Sequence, residues 1–225
     1  MSNTSKITMA IVIIIGFAYS LAVNYNLTPD TLQKPLDNNQ NTEERITALT
    51  AENHRFRELN MLKQEELKRL TGLALIEGLD SSIVIDLRYA TSNNFTGRQQ
   101  YAAAIALLRY ETALKLARAN SELLELGYRI KVWDAYRPLH VQEVLWELVQ
   151  DHRFVAHPDN GSRHNRGAAV DVTLVDAQGV EVLMPTEFDD FTEKASRSYP
   201  QMDPEARINM DILTEVMVRN GFTII

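Results

Sequence analysis

The spacing of apolar residues changes several times along the chain, and each change predicts an element. Ile83, Ile85 and Leu87 alternate with Val84, Asp86 and Arg88, the period of two expected of a strand. The Asn-rich stretch that follows, ending at Gly97, predicts a loop. From Tyr101 to Leu126 the apolar positions Ile105, Leu108, Leu116 and Leu123 fall at helical spacing, and Gly127 suits the residue after a helix end. "YRIKVWDAYRP" predicts a second strand; Pro138 then opens a helix whose apolar stripe is Val141, Val144, Leu145, Leu148 and Val149. Val170, Val172 and Leu174 alternate with Ala169, Asp171 and Thr173, so a third strand buries one face and aims Asp171 from the other. Asp203 and Pro204 start the last helix as N-cap and first residue, with Ile208, Ile212 and Val216 facing inward and Gly221 closing it. "FTII" reads as the beginning of a strand. Strands and helices without regular βαβ repetition predict an α+β fold, one compact domain over residues 71–225.

The part before residue 71 reads differently. Lys6 precedes an uncharged apolar run from Ile7 to Val23, the pattern of an export signal or of a single membrane anchor. Ser20-Leu21-Ala22 is an imperfect cleavage site, and 17 residues is at the short edge for a span, so both readings of residues 1–23 stay open. Either predicts an exported, extracytoplasmic location, secreted or anchored, with possible membrane attachment through residues 7–23. Residues 24–44 have two prolines and few large apolar side chains, so they read as a polar linker. Residues 45–70 read as a charged helical stalk, because Ile46, Leu49, Leu59, Leu62 and Leu70 are too sparse for a heptad seam.

Composition then narrows the function. A net charge of −7 without a lysine or arginine block removes the footprint that nucleic-acid binding needs. The absence of cysteine excludes disulfides, thiolate metal sites and a cysteine nucleophile.

"GSRHNRGAAVD" carries the most chemistry. His164 offers an imidazole nitrogen and Asp171 a carboxylate oxygen, both ligands for a divalent metal such as zinc, and Gly167 lets the chain fold tightly between them. Alone, such a pair also fits a surface loop, and a catalytic zinc normally takes three protein ligands.

Four separated stretches, "DLRYATSNNFTG", "VWDAYRP", "GSRHNRGAAVDVTL" and "MPTEFDDF", resemble in order and spacing the zinc D-alanyl-D-alanine dipeptidases of the VanX type. The resemblance runs from about Ile83 to Phe222. It implies a small, mainly antiparallel sheet flanked by helices, in the manner of hedgehog and D,D-peptidase domains. It also implies one zinc ion held by His164 and Asp171, and a small D-Ala-D-Ala-type dipeptide as substrate. Arg137 matches the arginine that steadies the oxyanion. Asp134 would orient Arg137 or meet the substrate's ammonium group. Ser162 matches a substrate-contacting serine, Tyr89, Asn94 and Phe95 look like the pocket rim, and Asp189 occupies a family position whose role stays open.

The chain also departs from the pattern. In the family, Glu-Trp-Trp-His follows the final helix and supplies the general base and the third zinc ligand; here "GFTII" stands in that place. The chain therefore reads as a C-terminally incomplete member with impaired activity. His54, His140, His152 and His157 read as surface histidines, His157 being nearest the motif, and Glu181 and Glu187 are further carboxylates not committed to the cleft. A catalytically inactive binder of cell-wall peptides and a D,D- or L,D-carboxypeptidase are the competing readings.

Overall fold

The computed structural model describes residues 40–224, divided into two units at Gly72. The apolar run 7–23 and most of the expected linker lie outside the described residues. In the first unit, helix α1 (Gln40–Thr71) covers the expected stalk and adds five residues before it. At about 1.5 Å per residue it is about 48 Å long. Among the described residues no helix is long and apolar enough to cross a membrane.

The second unit is α+β. Its elements are β1 (Leu73–Leu75), a single turn α2 (Ile76–Leu79), β2 (Val84–Ile85), β3 (Leu107–Arg109), α3 (Tyr110–Glu125), β4 (Tyr128–Asp134), α4 (Leu139–Val149), β5 (Asp171–Asp176) and α5 (Pro204–Arg219). They form two sheets rather than one. β1 pairs antiparallel with β3, while β4 lies between β2, to which it is parallel, and β5, to which it is antiparallel.

Three expectations about elements are corrected. The helix predicted from Tyr101 begins only at Tyr110, because Leu107 and Leu108 pair with Leu75 and Ala74 in a ladder that local spacing cannot reveal. The last helix turns its Ala206, Met210, Leu213 and Val216 stripe inward, and Ile208 is exposed. Phe222 to Ile224 carry no strand. The Asp203 cap forms as expected, its carboxylate accepting from the Glu205 and Ala206 N–H groups.

The core lies between the sheets and helices α3, α4 and α5, around Leu108, Leu116, Leu123, Ile130, Val132, Leu145 and Leu174. β5 departs from clean alternation. Thr173, Leu174 and Val175 are all buried, whereas Val172 is half-buried because a cavity opens over the first residues of this strand. Arg88 begins a 3₁₀ turn shortly after β2 and is buried: its guanidinium lies over the Trp133 ring and meets Asp86 and Glu181 at 3.1 and 3.3 Å.

Candidate active site

The turn that carries His164 is built by its own short side chains. Ser162 Oγ accepts the His164 N–H at 3.1 Å, and the Asn165 carboxamide accepts from Ser162 N–H and donates to the Arg137 carbonyl. A single helical turn, His164–Arg166, then ends at Gly167 with φ 62°. A Cβ at Gly167 would stand 2.9 Å from the Arg109 nitrogen and 3.1 Å from Leu73 Cδ2, so both the backbone conformation and the closeness of β3 require glycine. The chain returns from this turn into β5, whose first residue is Asp171.

His164 is buried, and its Nδ1 lies 2.9 Å from the Ala135 carbonyl. A carbonyl can only accept, so Nδ1 carries a proton, and in the neutral ring Nε2 presents a lone pair. That lone pair faces Asp171 Oδ1 at 3.6 Å, too far for a hydrogen bond. Two ligands about 2.1 Å from one tetrahedral ion stand about 3.4 Å apart. The pair therefore fits a divalent cation between them. Burial opposes an imidazolium, but Asp171 and then Asp134 attract it, and the net direction of the His164 pKa is upward. Burial likewise opposes the Asp171 carboxylate, while His164 and Arg137 favour it and leave its pKa below the ordinary value.

Asp134 is the third possible ligand in reach: one ligand atom from each of Asp134, His164 and Asp171 lies within 4.8 Å of the others. Its chemistry is already committed. At the end of β4 and fully buried, it accepts at Oδ1 from the Tyr101 hydroxyl and the Ala135 N–H, and at Oδ2 from Arg137 Nε and Nη2 at 3.0 and 2.7 Å. Those four bonds use the capacity of a carboxylate. Of the two roles open to Asp134, orienting Arg137 is the one the geometry has; no oxygen is left for a substrate ammonium group.

Arg137 is buried as well. Nη1 donates to Gln142 Oε1 at 2.9 Å, and the guanidinium carbon lies 5.2 Å from the centroid of the Tyr89 ring. Burial is the largest influence and works against its charge, but Asp134, Tyr89, Tyr101 and Asp171 together outweigh it, and Arg137 is held cationic. Three of its five N–H donors are occupied among the described residues, which leaves two.

Tyr89 lies behind this cation. It is 1% exposed, its hydroxyl donates to Asp189 Oδ2 at 2.6 Å, and Phe188 and Tyr101 pack edge-on against its ring. Its place is in the support of the site and not on an open rim. Asp189 has φ 56° and reaches the cavity; burial lifts its carboxyl to about 6, Asp171 adds to the rise, and the Tyr89 hydrogen bond opposes it. The cavity has a volume of about 460 Å³, and Trp133, Asp171, Val172, Phe188, Asp189 and Met217 are among its walls.

The remaining candidates are distributed as follows. Asn94 organises its own loop, donating to the Arg88, Thr91 and Arg98 carbonyls and accepting from Thr96. Phe95 packs on Phe191 and Tyr89. His152 and His157 both pack on the Trp146 ring, and His140 is exposed on α4. Glu181 pairs with Lys131 and Arg88, whereas Glu187 stands in the cavity wall beside Asp189. Tyr101 and Gln142 were missed by sequence reasoning. The signal for Gln142 was a polar residue between Val141 and Leu145 on the buried face of α4; for Tyr101 there was none, since it meets Asp134 across 33 residues.

A buried imidazole with one free lone pair, a carboxylate facing it and a cationic guanidinium beside a small cavity make up the centre of a metal-dependent peptidase. The family model for D-ala-D-ala dipeptidases matches residues 69–225, and the chain belongs to that family. It is 35% identical to the D-alanyl-D-alanine dipeptidase of Escherichia coli over 138 residues, covering 61% of this chain and 72% of that one. It is 24% identical to the D-alanyl-D-alanine dipeptidase of Enterococcus faecium over 178 residues, covering 67% and 85% of the two.

Proposed function

We propose that this protein is a zinc-dependent dipeptidase that hydrolyses D-alanyl-D-alanine in cell-wall metabolism outside the cytoplasm. The observation that carries the reading is the 3.6 Å gap between His164 Nε2 and Asp171 Oδ1, with Nδ1 already bonded to the Ala135 carbonyl. When bound there, zinc supplies a Lewis acid that polarises a carbonyl and acidifies a water molecule. His164 and Asp171 are the residues that would hold it. Arg137 turns its two remaining N–H donors to the negative charge that develops on the scissile carbonyl oxygen, and Asp134 keeps the guanidinium fixed while it does so. Asp189, the carboxylate across the cavity, takes the substrate's ammonium group, and Ser162 holds the His164 turn at the substrate's edge.

The cavity volume sits toward the lower end of the range of about 300–1,000 Å³ for small-molecule sites, in keeping with a dipeptide. The names of the relatives support the same substrate. Lys6 and the apolar run that follows support export.

The test is zinc stoichiometry and D-alanine release from D-Ala-D-Ala, with and without chelator, on the full chain and on His164→Ala and Asp171→Ala. The expected result is about one ion per chain, lost in both variants, and any turnover abolished by chelator. Zinc bound equally well by both variants would overturn the site; turnover that survives complete zinc removal would overturn the chemistry.

A further inference from the structure

Arg137 is held from two sides, and only one of its holders is charged. Asp134 takes Nε and Nη2; Gln142, fully buried on α4, takes Nη1 at 2.9 Å. The other end of the same carboxamide donates from Nε2 to the Ala156 carbonyl at 2.7 Å. These two partners leave the amide a single orientation. A guanidinium can only donate and a carbonyl can only accept, so a turned amide would set donor against donor and acceptor against acceptor. Gln142 is thereby a link of fixed direction between the guanidinium and the loop after α4. That loop is anchored in turn by buried Val155 and by His152 and His157, which lie 4.7 and 4.8 Å from the Trp146 ring centroid.

We infer that Gln142 is a positioning residue for the peptidase reaction: it fixes the orientation of Arg137 beside Asp134 without neutralising it, and ties that orientation to the packing of residues 151–157. This rests on the role proposed above for Arg137. The neutrality of the holder matters. Asp134 already balances the guanidinium charge, and a second carboxylate would make the group net negative where an oxyanion must form. A leucine of similar size would fill the space and leave Nη1 without its acceptor, free to turn about the Cζ–Nη1 bond. Neither change touches a metal ligand.

The experiment uses the full chain with ¹⁵N-labelled arginine and compares wild type, Gln142→Leu and Gln142→Glu by NMR of the Arg137 side-chain N–H groups. Zinc stoichiometry and D-Ala-D-Ala kinetics are measured on the same samples. Wild type should give resolved, slowly rotating Nη1 protons; Gln142→Leu should lose them, and Gln142→Glu should keep them. Turnover should drop by about tenfold or more in both variants at nearly unchanged KM, since misaimed or neutralised oxyanion donors cost at this scale or beyond. Zinc content should be unchanged. A purely structural Gln142 would lower Tm while leaving kcat per folded, zinc-loaded molecule intact, and that result overturns the inference. Unchanged Nη1 signals in Gln142→Leu overturn it too. If wild type releases no D-alanine while the NMR contrast appears as described, the substrate reading fails and the positioning link stands.

Discussion

Asp134→Asn is the substitution whose effect the structure specifies most closely. The carboxylate has no exposed surface and accepts four hydrogen bonds, two of them from Arg137. An asparagine can serve only half of that demand. With its oxygen toward Arg137, its NH₂ group meets the Ala135 N–H donor; turned the other way, it meets the guanidinium. In both cases Arg137 remains buried with its counter-charge removed. Breaking a buried ion pair from one side costs about 3–5 kcal/mol. Gln142 and the Tyr89 ring still hold the cation, which places the expected loss near the lower end, about 3 kcal/mol. With a urea m-value of about 2 kcal/mol/M, that shifts the unfolding midpoint down by about 1.5 M. The assay is urea unfolding followed by circular dichroism, for Asp134→Asn, Arg137→Met and the double variant. Because the single change leaves an unpaired charge, the double variant should be less destabilised than the two singles together, by about 1 kcal/mol or more. Strict additivity, or a midpoint shift below about 0.3 M in Asp134→Asn, would refute the reasoning.

Asp189 provides a prediction in pH. Its folded pKa of about 6 lies above the ordinary carboxyl value of 3.8, so the folded state binds the extra proton and stability falls as pH rises from about 4 to about 6. In metal-free protein, Asp189→Asn should abolish that slope and raise stability at pH 7 by about 1–2 kcal/mol, while weakening binding of a dipeptide with a free ammonium group; urea midpoints taken across pH 4–8 check the sign. Gly167→Ala should destabilise by about 2 kcal/mol or more, since φ 62° and the contact with the Arg109 nitrogen both penalise a Cβ, and a Tm lowered by about 4–8 °C would register it.

How far the site could be read from the chain depended on whether its contacts were local. His164, Gly167 and Asp171 lie within eight residues, and one turn plus one strand start suffices to bring the imidazole and the carboxylate together; sequence alone carried that approach. Arg137 and Asp134 are likewise adjacent, at the end of a strand whose pattern is plain. The supports are different. Tyr101 reaches Asp134 across 33 residues and Tyr89 reaches Asp189 across 100, through bonds that exist only once β4, β5 and the loops around them are assembled. The β1–β3 ladder was hidden for the same reason. A three-residue strand has no period to read, and its partner lies more than thirty residues away. Ile208 went wrong through its neighbours: on a helix whose Ala206 and Asn209 are buried, hydrophobicity alone does not identify the inward stripe.

The charges of the site explain why so many of these supports are hydroxyl and amide groups. Two carboxylates, Asp134 and Asp171, already stand with one permanent cation, Arg137, in a buried setting where each further ion would be costly to desolvate. Tyr89 and Tyr101 stay protonated because burial and the neighbouring carboxylates both push their phenols upward, so they fix Asp189 and Asp134 as neutral donors. Gln142 does the same for Arg137 as a neutral acceptor. In the proposed reaction, neutral partners of this kind supply direction and leave the charge of His164, Asp171 and the guanidinium for the cation and the developing oxyanion. A site stabilised instead by additional ion pairs would spend that charge before a substrate arrived.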